Sequence, residues 1–223
     1  VEVGRLRVVY RSFAMNDVLS SSSVARRRRR VLIVGAGAAG LVSLKEHLEA
    51  GNDAVCVEKT SEIGGVFSPR RESSYDGLYL TTSNVYMSFS DFPWPNPKIR
   101  YSSKEEYAEY LDLYARHFDL YPKIRFGVEV EDVKRVGRGW IVDGEAYDAL
   151  VIATGSNSVP KGIDDVAIGF EGTKIHSKDF QNVDPYVGKT VVVVGTGESA
   201  SDIAADLSQV ADVYVWARRP FVI

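Results

Sequence analysis

The sequence predicts an α/β fold in which two strand–turn–helix–strand units share the chain with an antiparallel β-meander. Three observations predict it. The apolar run Val31-Leu32-Ile33-Val34 enters the turn Gly35-x-Gly37-x-x-Gly40, and an amphipathic helix pattern follows. The plan returns late in the chain, where Thr190 to Val194 enters Gly195-x-Gly197-x-x-Ala200. Between the two, Gly137-Arg138-Gly139 and Asp143-Gly144 separate short strand-like segments, and the second is a strong hairpin signal.

Taken in order, residues 1–29 come first and differ from the rest. Ser20 to Ser23 is a serine run and Arg26 to Arg30 a basic run, so this stretch is expected to be a disordered, solvated tail. It has no apolar core segment of a secretory signal, while an organelle transit peptide stays open as a second reading. The first strand then ends at Gly35, which permits a tight turn. Gly37 lets the backbone approach a pyrophosphate, and Gly40 lets helix and strand pack closely. Ala38 and Ala39 open the helix, whose first amide groups and positive dipole end face the same place. Leu41, Leu44 and Leu48 mark its buried face, and Gly51-Asn52 closes it. Ala54 to Val57 is the second strand. It ends at Glu58, eighteen residues past Gly40, close to the ~20 expected of a carboxylate that accepts ribose hydroxyls. This is a Rossmann-like dinucleotide-binding unit.

Gly64-Gly65 lies in the next loop and allows backbone to rest against a flat ligand. From Tyr75 to Trp94 the chain is rich in aromatic and hydroxyl residues, then stiffened by Pro93, Pro95 and Pro97. Ser103 to about Phe118 is a predicted helix. Ser103-x-x-Glu106 is a capping box, and Tyr107, Tyr110, Leu111 and Tyr114 recur at helical spacing as core residues. The meander follows over Val128 to Val136, Trp140 to Val142 and Glu145 to Tyr147. Leu150 to Ala153 is another buried strand, ending at Thr154-Gly155.

In the second unit a helix is predicted over Ser199 to Val210 and a strand over Val213 to Trp216. Gly35 to Glu58 is twenty-three residues, and Gly195 to Arg218 is also twenty-three. By that count an arginine, with Arg219 beside it, stands where the first unit has a carboxylate. Carboxylate suits a 2′-hydroxyl and arginine a 2′-phosphate. The first site should therefore take FAD or NAD and the second NADP, which implies electron transfer from a nicotinamide to a flavin. A solvated strand end is the other reading of Arg218 and Arg219. Ala200 replaces the third glycine at a position that accommodates a methyl, and Ser199 could donate a hydroxyl to phosphate.

Composition narrows the partners. A net charge of −3 argues against nucleic acid, and no apolar run is long enough for a membrane span. Cys56 is the only cysteine, which excludes a C-x-x-C redox pair and predicts a small buried hydrophobe. A cytoplasmic location is the default. No metal-ligand cluster, triad or carboxylate pair stands out. The chain starts at Val1 and stops at Ile223 just after a strand, so a C-terminally truncated fragment is expected.

These residues resemble the flavin-containing monooxygenases, the class B flavoprotein monooxygenases, over about residues 30–219. The most specific segment is Phe170-x-Gly172-x-x-x-His176-Ser177-x-x-Phe180, which is similar to that family's fingerprint between two nucleotide turns. Baeyer–Villiger relatives usually end it in Trp, so Phe180 favours the heteroatom-oxidising branch. His176 is expected to be structural. Gly64-Gly65-Val66-Phe67, Ser90-Asp91-Phe92-Pro93 and Ala153-Thr154-Gly155 resemble further family segments.

The resemblance implies residues 30–160 as the N-terminal part of a FAD domain, 161–188 as a linker and 189–223 as the start of an NADP domain. It implies FAD contacts at Gly35, Gly37, Ala38, Ala39, Gly40, Glu58, Lys59, Gly65, Val66, Phe67, Thr82, Val130, Ala153, Thr154 and Gly155. NADP contacts would come from Gly195, Gly197, Glu198, Ser199, Ala200, Arg218 and Arg219. A family asparagine beside the flavin is replaced here by Thr81, with Asn84 the nearest asparagine, so these two are the candidate stabilisers of the oxygenated flavin. The implied reaction is FAD- and NADPH-dependent monooxygenation of an amine or sulfide by O2, through a C4a-hydroperoxyflavin, with no residue acting as general acid or base. A Baeyer–Villiger enzyme, another two-dinucleotide flavin reductase and a non-catalytic nucleotide-binding fragment are the alternatives.

Overall fold

A computed structural model of the chain describes residues 27–68, 75–95, 98–156, 159–160 and 167–218. The serine run, most of the tail and Arg219 lie outside the described residues. The first unit opens with β1 (Arg30–Val34), α1 (Ala38–Glu49) and β2 (Asp53–Glu58). Next come a short helix α2 (Asn84–Met87), α3 (Lys104–His117) and β3 (Ile124–Phe126). The meander is β4 (Val133–Val136), β5 (Gly139–Val142) and β6 (Glu145–Tyr147), and it leads into β7 (Ala149–Ile152). The second unit consists of β8 (Thr190–Val194), α4 (Glu198–Leu207) and β9 (Asp212–Trp216).

The main sheet is parallel, in the order β3-β2-β1-β7, with β1 inside it. Its continuous apolar run is explained by burial on both faces. Val31 and Ile33 pack with Leu41 and Leu44 of α1 and the tyrosines of α3. Leu32 points the other way, into a cluster with Val57, Val142 and Tyr147 beneath the meander. Each such side chain contributes about 2 kcal/mol on burial. Exposed ion pairs contribute at most ~1 kcal/mol, so burial rather than charge fixes β1.

The last residues of the basic run, solvent-exposed as a tail would be, lie beside acids of the sheet and the meander. Arg27 faces Asp148 at 3.5 Å, Arg28 faces Asp53 at 3.6 Å and Arg30 faces Glu145 at 2.5 Å. The Asp53 amide also donates to the Arg29 carbonyl, so the chain is already tied to the sheet before β1 begins.

α3 forms where its cap predicts. Ser103 Oγ accepts from the Glu106 amide, and Glu106 returns a bond from the Ser103 amide. Glu105 and Glu106 lie at its positive end and Arg116 and His117 at its negative end, both favourable. Tyr107, Tyr110 and Tyr114 are buried, as their spacing predicts. The Tyr110 hydroxyl donates to the Phe92 carbonyl and accepts from the Phe89 amide, which pins the aromatic loop to the helix. Trp94 stacks on Tyr110 at 4.7 Å with nearly parallel planes. Asp91 is held to α1 by Lys45 at 2.5 Å.

Asp143 and Gly144 both adopt positive φ, 44° and 82°, the conformation a two-residue hairpin of this kind requires. Arg135 lies over the half-buried Trp140 ring within the meander. The predicted strand Val128 to Val136 is shortened to β4. Its first residues turn elsewhere: the Val128 amide donates to the Glu58 carbonyl, and Asp143 Oδ1 accepts from the Glu131 and Asp132 amides. The last predicted helix begins one residue early and ends at Leu207, before Val210.

β8 repeats the apolar composition of β1 with a different outcome. Val191 and Val193 pack toward α4, whereas Val192 and Val194 are exposed, as are Tyr214, Val215 and Trp216 of β9.

Candidate functional site

The site forms where β1 and β7 end side by side. The Ala153 amide donates to the Val34 carbonyl, so the glycine turn after β1 lies against Ala153-Thr154-Gly155 after β7. Strand order diverges at β1, with β2 on one side and β7 on the other, and ligands of open α/β sheets bind at such a point.

Steric requirements explain Gly35, Gly40 and Gly65. Gly35 has φ +102°, and a Cβ there would lie 2.5 Å from the Ala153 carbonyl oxygen. A Cβ on Gly40 would lie 1.8 Å from the Gly35 oxygen, so only glycine lets α1 approach. Gly37 is the N-cap of α1 and has no side chain to satisfy the first-turn amides of Ala38, Ala39 and Gly40; no acid stands in that turn. Opposite it, Gly65 has φ +61°, and its Cβ would come to 3.1 Å of the Gly37 Cα. Two bare backbone segments thus face each other, with uncapped helix amides between them and a polar rim at Thr154 and Gly155. A pyrophosphate-bearing dinucleotide fits that cradle better than any group needing side-chain ligands.

Glu58 completes the first site. One carboxylate oxygen accepts from the Ala36 amide at 2.8 Å, and the other accepts from the amide and hydroxyl of Thr60, both at 2.9 Å. The acid is half-buried and oriented before any ligand arrives. Lys59 is exposed beside it, and Val130 packs half-buried under the end of β2. Ala36 and Thr60 went unrecognised in the sequence, whereas Gly64 belongs to the glycine pair already singled out there. The Gly64 amide donates to the Ala36 carbonyl and has φ +114°. The signal for Thr60 was its hydroxyl two residues past the acid.

The residues expected near a flavin separate. Val66 is exposed, while the Phe67 ring turns inward, edge-on to Tyr107 at 4.8 Å. Thr81 and Thr82 are exposed. Asn84 is fully buried and its carboxamide is committed within its own loop. It donates to the Lys98 carbonyl and accepts from the Val85 and Arg100 amides. That is a loop-building role, in contrast to the ligand-facing role expected of it.

In the second turn Gly195 has φ +122° and its amide donates to the Trp216 carbonyl at 2.9 Å. Ala200, half-buried in α4, holds the place that Gly40 has in the first turn. Gly197 is the N-cap of α4, and Glu198 and Ser199 are exposed in its first turn. The ladder corrects the counted register. Val34 faces Val57 in the first unit, but Val194 faces Trp216 in the second. Ala217 therefore stands at the position of Glu58, and the exposed Arg218 stands one residue further on. The intervening segment is one residue shorter, which equal spacing to the arginine had concealed.

His176 accepts the Lys178 amide on Nδ1 at 3.0 Å and so caps a short 3₁₀ turn. Phe170 covers Gly172, whose Cβ would touch its ring at 2.5 Å, and Phe180 is 3% exposed. Cys56 is buried, its S–H points at the Gly35 carbonyl, and burial pushes its thiol up to about 12. It is a packing residue with no nucleophilic character. Among the described residues there is no His/Cys/Asp/Glu group able to hold a metal, and no helix is long and apolar enough to cross a membrane.

This geometry defines an α/β protein with two Rossmann-like nucleotide turns. Residues 28–220 match the family described as flavin-binding monooxygenase-like, and the chain belongs to that family. It is 34% identical over 201 residues to a 4-hydroxybenzoate brominase (decarboxylating) of Marinomonas mediterranea, covering 86% of this chain and 39% of that protein. It is 32% identical over 212 residues to flavin-containing monooxygenase 5 of Homo sapiens, covering 85% and 40%. The chain thus spans about two fifths of the length of these curated relatives. Among solved structures, S-allyl-L-cysteine S-oxygenase of Allium sativum superposes with a TM-score of 0.74 at 29% identity, over 84% of this chain and 51% of that one. OTEMO, solved in complex with FAD and NADP, gives 0.68 at 26% identity, over 86% and 39%.

Proposed function

We propose that this chain carries the FAD-binding turn and the first part of the NADP site of a monooxygenase that oxygenates a soft nitrogen or sulfur. The observation that carries the reading is the bare cradle of Gly35, Gly37, Gly40 and Gly65 with Glu58 oriented at its edge. Residues 30–160 hold the first site, 189–223 begin the second, and 161–188 join them. In this reading the amides of Ala38 and Ala39 hold the pyrophosphate, Glu58 accepts ribose hydroxyls, and Thr154 and Gly155 line the mouth. Arg218, with Arg219, meets the 2′-phosphate of NADPH, and Ala217 leaves room beneath the longer side chain. Bound FAD supplies the electron transfer and the reaction with O2, which explains why no general acid or base is required. Thr81, rather than Asn84, presents a hydroxyl to the flavin. Support for heteroatom oxygenation comes from Phe180 at the end of the fingerprint and from the likeness to an S-oxygenase.

The test is gel filtration of the chain with FAD, followed by NADPH with and without a simple aryl methyl sulfide. Flavin absorbance that co-elutes, bleaches with NADPH and returns in air with sulfoxide formed is the expected result. Peroxide without sulfoxide would restrict the chain to the reductive half. Loss of flavin on the column would refute the proposal that these residues suffice for the FAD site.

A further inference from the structure

Among the described residues, the loop from Tyr75 to Leu78 brings the two units together. Tyr75, 4% exposed, precedes Gly77 in the first unit and belongs to a cluster with Phe180, Ile203 and Leu207. Its hydroxyl donates to Asp202 Oδ2 on α4 at 2.9 Å. Its ring meets Phe180 at 6.0 Å, and the Asp76 amide donates to the Gln181 carbonyl. Asp206, one helical turn beyond Asp202, sits so close to Gly77 that a Cβ there would lie 2.6 Å from its carboxylate. Two acids at i and i+4 repel on a bare helix. Here Tyr75 supplies a hydroxyl to one of them, while a glycine lets the backbone come close to the other. Burial and the acids Asp202, Asp206 and Glu198 all raise the Tyr75 hydroxyl's affinity for its proton, so it stays a donor throughout the physiological range.

We propose that Tyr75 is a positioning residue: its bond to Asp202 latches α4, and with it the second glycine turn, in place relative to the first. The inference goes beyond cofactor assignment but rests on that reading for its consequence, because α4 opens at the second turn. A ring-only anchor would keep the cluster but leave α4 free to slide along its apolar seam. The hydroxyl fixes the register. Transfer between two bound nucleotides depends on such placement, since small displacements of reacting groups cost rate steeply.

The test uses the whole chain with spin labels at Ala50→Cys on the first unit and Ala205→Cys on α4; the buried Cys56 does not compete for label. The wild type should give one narrow distance. Tyr75→Phe and Asp202→Ala should broaden it, while Asp202→Asn, which retains an acceptor oxygen, should restore it. Amides of Ile203 to Leu207 should exchange about tenfold faster in Tyr75→Phe, the factor expected for one lost bond to a charged acceptor. Those of β1 and α1 should not change. An unchanged distance distribution in Tyr75→Phe would overturn the latch, and so would uniformly faster exchange at an unchanged distance, which marks a merely stabilising residue. NADP⁺ added to the wild type separates the two readings: failure to slow exchange at Gly197 to Ser199 defeats the nucleotide assignment, and the latch is still decided by the distances.

Discussion

At the scale of single residues, the two glycine turns make opposite demands on the same position. A methyl at Gly40 has nowhere to go, with the Gly35 oxygen 1.8 Å away, whereas the second turn carries Ala200 at the corresponding position. Gly40→Ala should therefore cost about 1–3 kcal/mol in chemical denaturation as helix and strand are forced apart. Ala200→Gly should cost at most ~1 kcal/mol, the helix-propensity difference alone. Glu58→Ala removes the acceptor for the Ala36 amide and, on the proposed function, the ribose contact as well. It should weaken FAD binding roughly tenfold or more, read by flavin fluorescence titration, because bonds to charged groups are worth about 1.5–3 kcal/mol. The glycines and Glu58 were legible because each answers a local demand of the chain. Asn84 was not, because its partners Lys98 and Arg100 lie fourteen and sixteen residues away, across a loop with no periodicity.

At the scale of elements, α1 and α3 share the task of holding the aromatic loop. Ser103→Ala should lower stability by ~1 kcal/mol through loss of the cap, and it should loosen the loop above α3 before the sheet opens. Asp91 gives a pH signature. Its carboxyl is held below the ordinary range chiefly by the hydrogen bond from Lys45. As pH falls, the unfolded chain takes up that proton first. The stabilisation is thus complete above the ordinary carboxylate value of about 4 and is lost as pH falls through the lower folded value. A thermal-melt series should show wild type and Asp91→Asn converging at the acid end and diverging toward neutrality. α3 and the Asp143-Gly144 hairpin were predictable nearly to the residue, since cap and turn chemistry act locally. β3 was missed because three residues at a sheet edge carry no pattern of their own, and β4 was overextended because Glu58 and Asp143 claim the amides of its first residues.

At the scale of the molecule, the units differ in how they are covered. The first sheet is buried on both faces, whereas the second exposes Val192, Val194, Tyr214, Val215 and Trp216. An apolar surface of this kind binds hydrophobic probes. The folded chain should enhance the fluorescence of an environment-sensitive dye, and the double change Val192→Thr with Trp216→Ser should reduce that signal without lowering the melting temperature. Equal counts from turn to acid and from turn to arginine predicted a shared register; the ladder shows a one-residue offset, since such counts measure the length of a connection and not the strand position it reaches.

The chain has three tryptophans, and each belongs to a different part. Trp94 is stacked on Tyr110 above α3, Trp140 lies under Arg135 in the meander, and Trp216 stands exposed at the end of β9. Their light therefore carries addresses. Trp94, coupled to a parallel ring, should dominate the near-ultraviolet dichroism, and Trp216 should emit furthest to the red and be quenched first by iodide. Three single-tryptophan variants would let loop, meander and second unit be watched separately as the molecule opens, in colours the chain supplies itself.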